Sequence, residues 1–186
     1  MKGWKKTGRG ERQVLVTEFE AQEAAVLRGL LREVRQMLEG RAGEAPVDEL
    51  AELTGMRTGP SKRPADRVVA RLLPDFTFED ADLAAGLRSL HEPELITAKL
   101  EVNQHVLESL PEEGGRVELR PDLADEWLTA LNDVRLALGT ALDVSEDMPD
   151  DLPEGDPRAE HLGVYQWLTF VQDSLVHGRM QVRERK

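Results

Sequence analysis

The chain contains no cysteine, which excludes disulfides, thiolate metal sites, iron–sulfur clusters and redox sensing by its own thiols. Aromatic residues are scarce at 4%, so the core must be built mostly from Leu, Val and Ala, a composition that favours helices over sheet. No apolar run reaches the roughly 18 residues a membrane span needs, and the opening MKGWKKTGRGER lacks the apolar segment of a secretory signal. Neither membrane association nor export is expected, and the cytoplasm is the expected location. There is no glycine-rich phosphate loop between a strand and a helix, no G-x-S-x-G, and no H-E-x-x-H. His91, His105, His161 and His177 are scattered without ligand spacing. The sequence therefore predicts no catalytic residue, no metal and no cofactor.

What is present is charge, unevenly spread. The net charge is −12, but residues 1–12 carry +4 and residues 178–186 carry +3, leaving −19 on the body between them. An acidic body repels phosphate at long range, so unaided nucleic-acid binding by the domain face is disfavoured. The basic ends are either solvated and flexible or touch phosphate. The expected organisation is a basic flexible arm at 1–12, a single helical domain at 13–178, and a basic tail at 179–186.

Periodicity predicts a mainly α fold, a compact bundle of five to seven helices with a small two-stranded antiparallel β-ribbon. The ribbon pairs a short strand at 13–16 with RVELR at 116–120, because an isolated strand leaves backbone groups unpaired. Thr17 and Glu20 make a T-x-x-E box that opens a helix reaching about Glu39 and stopped by Gly40. Its stripe is Phe19, Val26, Leu27, Leu30, Val34 and Met37. A weak helical run follows at 46–55, then a short helix beginning at Pro64 that buries Val68, Val69, Leu72 and Leu73. Phe76 and Phe78 staple the next helix, 79–91, which Pro93 restarts or kinks into a longer one reaching Leu110. Further helices cover 121–142 and 157–177, joined by an acidic, proline-rich loop. On the last, Trp167 and Phe170 widen the apolar surface, toward either the core or a partner.

The stretch WLTALNDVRLALGTALDV, 127–144, organises this reading. Trp127, Leu131, Val134, Leu138 and Leu142 share one helix face, and Arg135 sits at its edge. A guanidinium there must snorkel to water or meet a carboxylate. Glu23, inside the first helix's stripe, is one candidate partner, although a first-turn glutamate also suits a solvated site at the positive end of a helix. Asn103 falls within a buried arc and must be hydrogen-bonded, either as a core amide or to a ligand. Asn132 lies beside Arg135, so Arg135, Asn132, Asn103 and Glu23 form a candidate structural polar network. Gly139 lets a neighbouring helix approach. On this reading Arg135→Ala lowers stability rather than abolishing a chemical step.

The acidic loop mimics an EF-hand at alternate positions, but Met148 stands where the glycine of the sharp turn is required and Pro153 interrupts the exiting helix, so calcium binding is not expected. Candidate nucleic-acid contacts are Lys2, Lys5, Lys6 and Arg9 of the arm, with Trp4 available to stack on a base, and Arg57, Lys62 and Arg63 of a basic loop. Residues 47–54 and 65–73 have the outline of a helix-turn-helix, with Arg67 and Arg71 facing outward, but Asp66 and Asp75 beside them oppose DNA binding.

The strings WLTALNDVRLALGTAL, RLLPD at 71–75, LRSLHEPELITAKL at 87–100 and VYQWLTFVQDSLV at 164–176 resemble an actinobacterial family of unknown function, the DUF2017 type. The resemblance runs from Val14 to Val176. Members are catalogued as oxidative-stress transcriptional regulators, so it implies a non-enzymatic regulator working through contacts with RNA polymerase or a sigma factor, with DNA touched by the basic ends. The regulatory reading of the family partly invokes paired cysteines, which this chain lacks. Family members are also often encoded near a Clp protease adaptor and sulfur-metabolism genes, which implies an interaction module in Clp-dependent protein turnover as the alternative. A protein partner is expected in either case; the oligomeric state stays open, a homodimer being one option.

Overall fold

The computed structural model describes residues 1–8, 12–45, 58–149, 152–153 and 155–183. Residues 14–19, VLVTEF, form the middle strand of a three-stranded antiparallel sheet, ordered β1 (Lys2–Thr7), β2 (Val14–Phe19), β3 (Gly115–Leu119). Leu15, Thr17 and Phe19 are buried at a period of two, the alternation that places one face of a strand on a core. Leu15 faces Leu119 and Thr17 faces Val117 across β2 and β3, the pairing the sequence predicts. The third strand corrects the two-stranded ribbon. Residues 2–7, read as part of a flexible arm, pair with β2 through Lys5 opposite Val16 and Lys6 opposite Leu15.

Five helices are present among the described residues: α1 (Ala21–Ala42), α2 (Arg67–Leu72), α3 (Ala81–Ser109), α4 (Pro121–Ala141) and α5 (Ala159–Arg183). The run at 46–55 lies outside the described residues. α1 begins later than the T-x-x-E box implies, because Thr17 remains in β2, where its hydroxyl donates to the Lys2 carbonyl. The capping box is made by Glu20 and Glu23 instead. Gly40 lies inside α1, and the buried line is Ala24, Leu27, Leu31, Val34, Leu38 and Arg41, one step round the helix from the expected stripe. α2 is capped by Asp66, whose carboxylate accepts from the amides of Val68 at 2.8 Å and Val69 at 2.9 Å.

α3 runs unbroken through Pro93. Proline has no N–H for the carbonyl four residues before it, and that carbonyl, of Ser89, accepts the Gly59 amide at 2.7 Å instead. The Ser89 hydroxyl donates to the Gly59 carbonyl at 3.0 Å, so residues 58–60 dock on the helix where its own bonding is interrupted. The aromatic staple is not formed. Asp80 caps α3, Phe78 is 86% exposed, and Phe76 leans on His91.

α4 is the central element, touching the other four helices and strands β2 and β3. Its Trp127 is fully buried, 5.4 Å from the Trp4 ring and 5.9 Å from Phe19 between centroids, and its indole N–H donates to Ser109 Oγ at 2.9 Å. Sheet and helices thus share one hydrophobic core. α5 continues through 179–183, a segment expected as tail, and Arg179 pairs with Asp125 of α4 at 2.8 Å. No described helix is long and apolar enough to cross a membrane.

Candidate functional site

The four residues of the candidate polar network are not brought together. Asn103 is buried, and its amide Nδ2 donates to the Leu31 carbonyl of α1 at 3.0 Å, a tie between α1 and α3. Asn132 is exposed. Glu23 is held by the capping box and by the Met1 ammonium, far from Arg135. The buried polar residue of the N-D pair is Asp133, whose carboxylate takes Lys99 Nζ at 2.6 and 2.8 Å. Burial pushes the Asp133 carboxyl above the ordinary aspartate value, against the opposing effects of the Lys99 hydrogen bond and charge.

Arg135 is half-buried and meets no carboxylate among the described residues. Nη1 donates to Gln172 Oε1 at 2.7 Å, Nη2 lies 3.4 Å from the Tyr165 hydroxyl, and the guanidinium carbon stands 5.4 Å from the centre of the Tyr165 ring. Nε is buried with no acceptor. Gly139, one turn along α4, makes room for this stack: a Cβ there would stand 3.0 Å from Tyr165 Cε2. Arg71 of α2, Arg135, Gly139 and Tyr165 line an open pocket of about 270 Å³.

Sequence reasoning missed a buried ion network joining α1 to α3. Arg88 is 1% exposed and Glu92 is 0% exposed, and they pair one turn apart. Arg41 Nε donates to the other oxygen of Glu92 at 2.6 Å, and Arg88 Nη2 to Asp75 Oδ1 at 2.6 Å. Arg41 also donates to Glu44 and to the Lys62 carbonyl, each at 2.6 Å. The R-x-x-x-E spacing was visible, but nothing local announces that such a pair is buried.

The basic candidates among the described residues do not form one patch. Trp4 is 6% exposed inside the aromatic cluster, so its ring is not free to stack on a base; that expectation is corrected. Lys2 and Lys5 are exposed on β1, and Lys6 Nζ donates to the Gln181 carbonyl at 2.9 Å. Lys62 and Arg63 are exposed at the far end of α1, Arg63 being 3.7 Å from Asp75. The contacts of Met1 with Glu23 and of Lys62 with Arg41 are separated by nearly the whole helix, on the order of 27 Å at ~1.5 Å per residue. Arg9 and Arg57 lie outside the described residues, as does 47–54 of the outlined helix-turn-helix. The other half, α2, is spent on the core, and its Arg67 pairs with Asp143 at 2.5 Å.

Among the described residues, large apolar side chains are exposed on α5, at Phe170, Val176 and Met180, and around the start of α3. Leu83 and Leu90, one heptad apart on α3, are both more than half exposed, and Phe76 and Phe78 lie in the segment just before that helix, Phe78 largely exposed and Phe76 partly so. Scattered apolar residues are normal on a protein surface, and a contiguous patch of large ones is what a contact site requires. Among the described residues no three His, Asp or Glu side chains converge to hold a metal.

A model of the family described as "Domain of unknown function (DUF2017)" matches residues 1–178. A Mycobacterium bovis protein named oxidative stress regulator AosR is 40% identical over 186 residues, covering 93% of this chain and 85% of the relative. The Mycobacterium tuberculosis protein of that name matches to the same extent, and a Mycobacterium leprae relative is 42% identical over 167 residues, covering 83% of this chain and 77% of the relative. No solved structure matches the chain.

Proposed function

The chain belongs to the DUF2017 family, and on that premise we propose that it is a non-enzymatic regulator of the oxidative-stress response that acts through protein contacts with the transcription machinery. The observation that carries this reading is its 40% identity, over nearly its whole length, to proteins named oxidative stress regulators. The exposed Phe76, Phe78, Leu83 and Leu90 support a protein partner. The net charge of −12 and the wide separation of the basic residues make DNA a secondary contact. Having no cysteine, the chain leaves any thiol sensing to that partner.

The test is affinity purification of the tagged full chain from its native cells, with and without peroxide, scored by mass spectrometry. RNA polymerase subunits or a sigma factor should be recovered, and Phe78→Asp with Leu83→Asp should reduce that recovery while the chain stays folded. Recovery of Clp components without transcription machinery would replace this reading with the protein-turnover alternative.

A further inference from the structure

Two buried arginines of this protein are fully answered by carboxylates. Arg88 has Glu92 and Asp75, and Arg41 has Glu92 and Glu44. Arg135 is the exception among the buried or half-buried arginines described: its neighbours are an amide oxygen, a phenol and an aromatic face, while Nε faces no acceptor at all. A desolvated guanidinium without a counter-ion is costly, and an aromatic ring and one amide offset only part of that cost. Arg71 brings a second guanidinium to the same cavity and makes no ion pair among the described residues. Leu136, Gly139, Thr140, Val144 and Tyr165 complete the lining, with no carboxylate among them. In a chain that is acidic overall, two cations on the wall of an open pocket with no acid in its lining describe a place for an anion.

Size and direction narrow the ligand. At about 270 Å³ the pocket is smaller than the roughly 300–1,000 Å³ typical of drug-sized ligands, a size suited to one small anionic group. Donors come from three helices: Arg71 on α2, Arg135 on α4 and the Tyr165 hydroxyl on α5. Donor-bearing residues on three helices suit the several oxygens of a tetrahedral group better than the two coplanar oxygens of a carboxylate, and guanidinium forks match such oxygens in pairs. We infer that the cavity between Arg71, Arg135 and Tyr165 binds a small tetrahedral oxyanion, phosphate or sulfate, either free or as the monoester end of a metabolite. Bound there, the anion ties α2, α4 and α5 together and stabilises the folded chain by mass action. The pocket carries this assignment whatever partner the chain contacts.

Titration calorimetry and thermal unfolding of the full chain, at constant ionic strength in chloride, test it with inorganic phosphate, sulfate, glycerol 3-phosphate and acetate. Phosphate should bind saturably at one site per chain and raise the melting temperature. Arg71→Gln alters an exposed residue outside the core and should leave the free chain's melting unchanged while weakening phosphate at least about tenfold, the loss of one charge-assisted contact. Arg135→Gln should abolish binding, and Tyr165→Phe should weaken it while keeping the stack. Glycerol 3-phosphate binding more tightly than phosphate identifies a monoester as the source; equal or weaker binding identifies the free ion. Absence of saturable phosphate and sulfate binding, acetate binding as tightly as phosphate, or phosphate binding untouched by Arg71→Gln would each overturn the assignment.

Discussion

Arg41 Nε donates to Glu92 Oε1 at 2.6 Å across the interface of α1 and α3, with both side chains buried. Removing one member of such a pair strands a buried charge, which typically costs about 3–5 kcal/mol. Glu92→Ala leaves two guanidinia facing each other, so its loss should sit at or above the upper end of that range, read from denaturant midpoints. Replacing Arg41, Arg88 and Glu92 together by apolar residues of similar volume should recover much of the loss.

Gly59 is the residue that lets the 58–60 segment lie against Pro93. A Cβ there would stand 2.9 Å from Pro93 Cγ, too close for any rotamer to relieve. Gly59→Ala should therefore cost about 1–3 kcal/mol and weaken the hydrogen bonds with Ser89. Faster exchange of the Gly59 amide with solvent deuterium checks this locally.

Trp4 belongs to the core despite its basic neighbours. Trp4→Ala empties a site beside Trp127 and Phe19 and should cost about 3–5 kcal/mol. Lys2→Ala and Lys5→Ala, on the exposed side of the strand, should change stability by less than about 0.5 kcal/mol. Parallel melting of the three variants separates a structural strand from a flexible arm.

The surroundings of Arg135 set two opposing effects against each other when it is replaced. Arg135→Met removes the contacts with Gln172 and Tyr165 but also an uncompensated charge, so thermal stability should stay within about 1 kcal/mol of the parent in the absence of anions. Gly139→Ala, by contrast, pushes on Tyr165 at 3.0 Å and should lower stability by about 1 kcal/mol or more while disturbing the same stack.

Asp133 supplies a pH test. Its carboxyl is raised above 3.8 by burial, so the folded chain keeps a proton that the unfolded chain has already released. Its contribution to stability is therefore largest below the ordinary aspartate value, declines as pH rises to the elevated folded value, and is level above it. Denaturation of the parent and of Asp133→Asn from about pH 3 to 7 should show the parent's relative stability falling across that window. Carbon NMR of the Asp133 carboxyl should give a midpoint above 3.8.

The helices were legible because each buries a stripe at helical period. Leu27, Val34, Val68, Leu72, Leu131 and Val134 are all buried where periodicity placed them. β1 was not, since K-G-W-K-K-T offers one apolar residue and draws its stability from pairing with β2 and from the distant Trp127. Buried charge was equally hidden: Arg88 and Glu92 look like any solvated pair one turn apart, and only the arrival of Arg41 and Asp75 from elsewhere permits their burial. The polar residue at 132–133 was misassigned by one position, which on a helix is about 100°, enough to exchange exposed Asn132 for buried Asp133. Arg135 was singled out correctly as a charge on an apolar edge, but its lack of a carboxylate is a fact of three-dimensional neighbours.

The contact of β1 with α5 closes the molecule across most of its length: Gly3 lies beside Ser174, and Lys6 reaches the Gln181 carbonyl. During synthesis the strand emerges long before its covering helix, so Trp4 and Leu15 must wait for residues near 174–178 before they are fully sheltered. Native pairing at such separation slows folding, and a growing chain stalled before α5 would display the inner face of its sheet to chaperones or proteases.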